Sequence, residues 1–200
     1  ALSKKTKAIV AAHMFGRPCD VERIGKICRD SKIVFIEDVC QAESSRYEDR
    51  MLGSFGDMAA FSFSYYKPLS SCGGGGGMVV FNGERENCVR PWMEDWRNDD
   101  DLLKTGQRFA PMAFLDMIAL KVKFARLKEI IRSRQKIKAL YERELSGVKG
   151  LTIFKDRPKT ESVAQNFVVC CEQRDKLIDF LTAKDIMVQK PYLSLHQMKV

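Results

Sequence analysis

The chain has 200 residues, 45% hydrophobic and 30% charged, with a formal net charge of +8, which suits one or two globular domains. No apolar run approaches the roughly 18 residues of a membrane span, and none of the seven cysteines forms a C-x-x-C pair, so no membrane, no metal and reduced thiols in a cytoplasmic protein are expected. The excess positive charge lies between Lys121 and Arg143 beside Leu120, Phe124, Leu127 and Ile131 at helical spacing; this predicts an amphipathic helix with a solvated basic face and no nucleic-acid partner.

In chain order, Lys7 to Ala12 reads as a buried strand ending at His13, and Gly16, Arg17 and Pro18 break the chain. Asp20 is placed to cap a helix running to about Cys28. Lys32 to Glu37 is a second β-branched run, so strand, helix and strand predict a parallel βαβ unit. A polar turn region spans Glu43 to Gly53. Met58 to Ser64 reads as a third strand, and five glycines, Gly73 to Gly77, lead into a fourth at Met78 to Phe81. Residues 84–106 are polar and irregular. Leu115 to Leu145 predicts one long helix or two in series, stopped near Gly147 and Gly150. Strands at Leu151–Phe154 and Asn166–Cys171 and a helix at Asp175–Ala183 follow. The expected organisation is a large domain over 1–114, a linking helix region over 115–149 and a small C-terminal α/β domain over 150–200.

Asp38 directly follows an apolar strand, and ligands in open α/β sheets sit at the carboxyl ends of parallel strands. Gln41 comes three residues later, and Ser62 and Lys67 lie at and beyond the end of the third strand. Taken singly, each has an ordinary reading: a turn aspartate, a strand serine, a solvated lysine. The glycine run is not a P-loop, because there the lysine follows the glycines and here Lys67 precedes them.

The order of these pieces resembles the DegT/DnrJ/StrS-type sugar aminotransferases. The resemblance runs through Thr6 to Val10, His13-x-x-Gly16-x-x-x-Asp20, Ile36-Glu37-Asp38-x-x-Gln41-Ala42, Gly53-Ser54-Phe55-Gly56-Asp57, Phe61-Ser62-Phe63-x-x-x-Lys67, and the glycines before Met78. Later matches include Arg126-Leu127, Arg134, Tyr141, Arg174-Asp175 and Leu195-His196. The resemblance implies an α/β fold of the pyridoxal-phosphate transferase type I. Its large domain would hold a mostly parallel, incomplete sheet, beside a small C-terminal α/β domain. It also implies a cytoplasmic homodimer that uses pyridoxal 5'-phosphate to move an amino group from a donor such as L-glutamate to a keto sugar of the nucleotide-linked kind. On the matching positions, Asp38 pairs with the cofactor's ring nitrogen, Gln41 meets its ring hydroxyl, Ser62 binds its phosphate and Lys67 is the Schiff-base lysine. His13 and His196 fall to the substrate side.

Several positions depart from the family pattern. Pro68 follows the lysine where asparagine is usual, and Gly74 stands where an acid interrupts the glycines. In the stretch Gly106-Gln107-Arg108-Phe109-Ala110 the last residue replaces an arginine, and Arg108 is the implied contact to a partner subunit's cofactor phosphate. Lysine at position 67 argues against the dehydratase branch, which has histidine there. Family members are about twice this length, so a fragment, a truncated product or a decayed copy is expected. A non-catalytic remnant is the alternative function.

Overall fold

The computed structural model describes residues 2–73, 75–83, 87, 112–188, 190 and 192. Strand β1 (Ala8–Ala12), helix α1 (Val21–Ser31) and strand β2 (Val34–Asp38) form the expected unit, with β1 and β2 parallel and Ala12 opposite Asp38. The Asp20 carboxylate caps α1 by accepting from the Arg23 amide at 3.2 Å, and Val21, Gly25 and Cys28 turn to the interior. Lys32 takes a left-handed φ of 53° that ends the helix, its amide bonding to the carbonyls of Cys28 and Arg29. The second strand therefore starts at Val34, two residues later than the apolar pattern suggests.

Beyond β2 lie a short hairpin, β3 (Arg46–Tyr47) and β4 (Arg50–Met51), then β5 (Met58–Ser62) and β6 (Gly77–Phe81). The main sheet has the order β1-β2-β5-β6, parallel except for the antiparallel β5–β6 pair. Its core is Ala11, Val21, Cys28, Phe35, Val39, Ala42, Leu52 and Ala59. The third strand ends at Ser62 rather than Ser64, because the Phe63 amide bonds to the Gly76 carbonyl and the Phe63 carbonyl accepts from Ser71.

Of the two options for the long helical segment, two helices in series form: α2 (Phe114–Ala125) and α3 (Leu127–Glu144), broken at Arg126. The expected apolar stripe is only partly covered. Ile131 is buried, whereas Phe124 is exposed, since no described segment packs over that side of α2. Strands β7 (Leu151–Ile153) and β9 (Val169–Cys171) pair antiparallel, and α4 (Arg174–Thr182) follows. Among the described residues no helix is long and apolar enough to cross a membrane.

A short strand that the sequence pattern did not announce, β8 (Thr160–Glu161), adds to the β3–β4 hairpin. Next to it, the Ser45 hydroxyl donates to the Gly16 carbonyl at 2.7 Å and accepts from the Val163 amide at 3.0 Å. Gly16 has φ +86°, and a Cβ there would meet the Gln165 amide nitrogen at 2.9 Å. The approach of the 163–165 segment thus requires glycine at that position.

Candidate active site

The carboxyl ends of β1, β2 and β5 meet at one edge of the sheet. The His13 amide bonds to the Asp38 carbonyl at 3.0 Å, and the Val39 amide bonds to the Ala60 carbonyl at 2.9 Å. Asp38 is therefore held from both neighbouring strands. Its Oδ1 accepts from the Cys40 amide at 3.0 Å, which turns the chain. Among the described residues no cation lies within ion-pair distance of this half-buried carboxylate.

Gln41 follows the turn. Its Oε1 accepts from the Phe15 amide at 2.7 Å and its Nε2 donates to the Tyr192 hydroxyl; the second amide hydrogen is left over. Ser62, at the end of β5, shares a hydroxyl–hydroxyl bond of 2.7 Å with Ser64. Lys67 lies on the loop beyond, only 6% exposed, with its Nζ 4.8 Å from the Tyr66 ring centroid. Among the described residues its amine has no carboxylate within ion-pair distance.

Asp38 and Lys67 share a neighbour. Burial and then the Asp38 carboxylate push the Cys40 thiol up to about 12, against the pull of the Lys67 charge. One thiol thus feels both groups, twenty-nine positions apart in the chain.

Glu37 organises the edge from below. It is fully buried. Its Oε1 accepts from the amides of Phe55 and Gly56 at 2.7 and 2.8 Å, and its Oε2 from Gly53 at 2.9 Å and the His13 Nε2 at 3.2 Å. Burial raises this carboxyl, but the His13 contact and the three amides outweigh it, so Glu37 titrates below its ordinary value.

This geometry corrects the substrate role expected for His13. The ring is buried, its Nε2 faces Glu37 and its Nδ1 accepts from the Cys19 amide at 3.0 Å, so neither nitrogen is free for a ligand. Burial works against the imidazolium, while the Cys19 side chain and Glu37 favour it and bring the ring to about 8. In the neutral ring the Cys19 amide bond to Nδ1 sets the proton on Nε2, toward Glu37. Arg108, His196, Gly74 and Ala110 lie outside the described residues.

The sequence reading missed two further features. Glu37 faces inward like Phe35 on an alternating strand, and a charged residue in that phase was the available signal. Asp116 on α2 is buried and accepts from the Cys72 and Gly73 amides at 2.8 and 3.3 Å, while Lys123 donates to Ser70 at 2.6 Å. These contacts tie the loop after Lys67 to α2, and no local pattern announces them.

The residues fit the pyridoxal phosphate that the resemblance implies. A carboxylate without a cation suits a protonated ring nitrogen, a buried amine without a carboxylate suits an aldehyde, and Ser62 offers a hydroxyl for a phosphate. A groove of about 540 Å³ runs elsewhere, between α3 and residues 164–167. Neither Asp38 nor Lys67 lines it, so the donor chemistry and not this groove points to the candidate site.

Known proteins resemble the chain along nearly its whole length. The model of the DegT/DnrJ/EryC1/StrS aminotransferase family matches residues 1–200. The chain is 30% identical over 185 residues to the erythromycin biosynthesis sensory transduction protein EryC1 of Saccharopolyspora erythraea, covering 91% of this chain and 50% of that protein. It is 28% identical over 189 residues to the dTDP-3-amino-3,4,6-trideoxy-alpha-D-glucose transaminase of Streptomyces venezuelae, covering 93% and 49%. The crystal structure of DesV from S. venezuelae superposes with a TM-score of 0.81 at 26% identity, over 93% of this chain and 50% of DesV. The chain spans about half the length of these relatives. A family-wide match of the whole sequence, joined to the same fold, places this chain in the DegT/DnrJ/EryC1/StrS aminotransferase family.

Proposed function

We propose that the protein carrying this chain transfers an amino group from L-glutamate to the keto group of a nucleotide-linked sugar, with pyridoxal 5'-phosphate held between Asp38 and Lys67. The observation that carries this reading is the pair itself. Among the described residues a carboxylate and a buried amine, each without an ion-pair partner, both act electrostatically on the Cys40 thiol beyond the carboxyl edge of the sheet. The transaminase among the relatives supports the sugar-nucleotide substrate class.

When bound, the cofactor supplies a reactive aldehyde carbon and a cationic ring that withdraws electrons. Asp38 would hold the proton on the ring nitrogen through a charge-assisted hydrogen bond. Gln41 offers its remaining amide hydrogen, and Ser62 a hydroxyl to the phosphate. Lys67 takes and returns a proton at the substrate carbon. Its burial, with the Tyr66 ring 4.8 Å from the amine, limits access of water to that proton.

A homodimer belongs to this reading. Phe114, Leu115, Val122 and Phe124 stand 61–73% exposed along α2, apolar surface of the kind that marks a protein–protein contact.

The test is a single half-turnover. The chain loaded with pyridoxal phosphate is given L-glutamate, and 2-oxoglutarate is measured. Release approaching one equivalent per chain, lost in Lys67→Ala, is expected. No release from the unsubstituted chain overturns the proposal.

A further inference from the structure

Lys67 stands on a loop with little of its own to hold it. From Gly73 the chain runs through five glycines, which have no side chains to pack and lose the most conformational freedom on ordering. The Lys67 amine is nevertheless buried, as are Ser70 and Ser71, so the loop is held from outside. On the strand side the Phe63 carbonyl accepts from the Ser71 amide and the Phe63 amide donates to the Gly76 carbonyl, both at 2.9 Å.

Further anchors lie on α2 and just before it. Asp116 is buried in the first turn of that helix. Its Oδ1 accepts from the Cys72 amide at 2.8 Å and the Gly73 amide at 3.3 Å, where the glycine run begins. Seven residues on, and so on the same side of the helix, Lys123 donates to the Ser70 hydroxyl at 2.6 Å. Gly76 lies so close to Met112 that a Cβ there would meet the Met112 methyl at 2.6 Å. The Asp116 oxygen thus serves the loop rather than the first amides of α2, whose N-cap residue Ala113 makes no side-chain cap bond. Hydrogen bonds to an ionised acceptor are the strong kind, and these two fall where the backbone is least able to order itself.

We propose that Asp116 is a positioning residue for Lys67, its carboxylate fixing the 70–73 stretch against α2 and thereby keeping the amine in its buried place beyond β5. The action runs through the backbone of Cys72 and Gly73, five and six residues past the amine. When those two bonds break, the loop opens locally and Lys67 meets solvent, while the sheet stays folded.

The catalytic meaning of this role rests on the proposed function, but its test needs no cofactor. The chain is treated with dilute acetic anhydride at pH 8, and acetylation of Lys67 is followed by peptide mass mapping relative to the exposed Lys149. A reagent reaches a buried amine through local opening, so the rate tracks the open fraction. Asp116→Ala loses both bonds and accelerates labelling of Lys67 about tenfold. Asp116→Asn keeps an oxygen for the amides and stays within about threefold of wild type. Asp20→Ala, which weakens α1 at a distance, leaves the ratio of Lys67 to Lys149 unchanged. Equal acceleration in Asp116→Ala and Asp20→Ala overturns the proposal, because general loss of stability then explains both. So does an unaccelerated Asp116→Ala, or an Asp116→Asn chain that labels as fast as Asp116→Ala. Should Asp116→Ala not fold, the unsubstituted chain carries the test in urea below the unfolding range. Exchange of the Cys72 and Gly73 amides and acetylation of Lys67 then rise with one slope, and unequal slopes overturn the proposal. The half-turnover assay can fail while this result stands, and the reverse.

Discussion

Replacing Glu37 with glutamine changes a single atom type at the centre of the site's support and has a large calculable effect. The carboxylate accepts four hydrogen bonds, two at each oxygen. Glutamine keeps one oxygen and turns the other into a donor. Whichever way the amide is placed, two buried N–H groups then face an NH2. The His13 ring cannot adapt by changing tautomer, because its Nδ1 already accepts from Cys19. Two charge-assisted bonds are lost and two donors are stranded, a loss of about 3–5 kcal/mol. Against a total stability on the order of 10 kcal/mol, this lowers the melting temperature by about 10 °C in a chain of this size. Unfolding in urea at pH 7.5, followed by far-ultraviolet circular dichroism, measures it.

The pH dependence adds a second constraint on the same variant. Glu37 titrates in the fold below its ordinary 4.5. Its stabilisation is thus fully present above pH 4.5 and lost as the pH falls through the lower, folded value. The gap between wild type and Glu37→Gln must narrow in acid. A loss below about 1 kcal/mol at pH 7.5 would falsify the view that this carboxylate holds the β1–β2 edge and the 53–56 loop together.

The other predictions are smaller or more local. Asp38→Asn keeps an oxygen for the Cys40 amide, so stability changes by less than about 1 kcal/mol, whereas pyridoxal phosphate binding, read by fluorescence titration, weakens roughly tenfold to a hundredfold through loss of a charge-assisted bond; equal affinity contradicts the ring-nitrogen role. Gly56→Ala places a Cβ 2.8 Å from the Phe35 carbonyl and 3.1 Å from the Met58 carbonyl, and such overpacking against backbone destabilises by about 1–3 kcal/mol in chemical denaturation. Asp20→Ala removes the α1 cap and lowers stability by about 1 kcal/mol, with no effect on cofactor binding. Glu43→Leu removes a buried carboxylate with no hydrogen-bond partner among the described residues, so it is more stable than wild type at pH 8, and the difference shrinks as the pH falls below about 7, where the wild-type group is neutral.

The parts of the fold visible in the sequence are those set by short-range rules. The Asp20 cap, the inward phase of Phe35 and the stop at Gly147 depend on neighbours a few positions away, and they could be read. The places of Asp38 and Ser62 at strand ends could be read as well, and the candidate site rests on the order in which they, Gln41 and Lys67 follow a family pattern. Strand β8 could not be read, since two residues, Thr160 and Glu161, carry no periodicity and are held by partners more than a hundred positions earlier. The same holds for Asp116, whose role depends on a loop 43 and 44 positions away. His13 was misjudged because a histidine in a motif says nothing about which of its nitrogens the fold has already engaged. Glu43 gave no local signal because burial of a single carboxylate is decided by tertiary packing.

The central claim is that Asp38 and Lys67 bracket one cofactor ring. The direct measurement is to incubate the chain with pyridoxal 5'-phosphate, reduce with borohydride and map the added mass by peptide sequencing. The claim predicts a single phosphopyridoxyl group on Lys67, diminished in Asp38→Asn. Label scattered over exposed lysines with none at position 67, or label at Lys67 indifferent to the loss of the Asp38 charge, would contradict it.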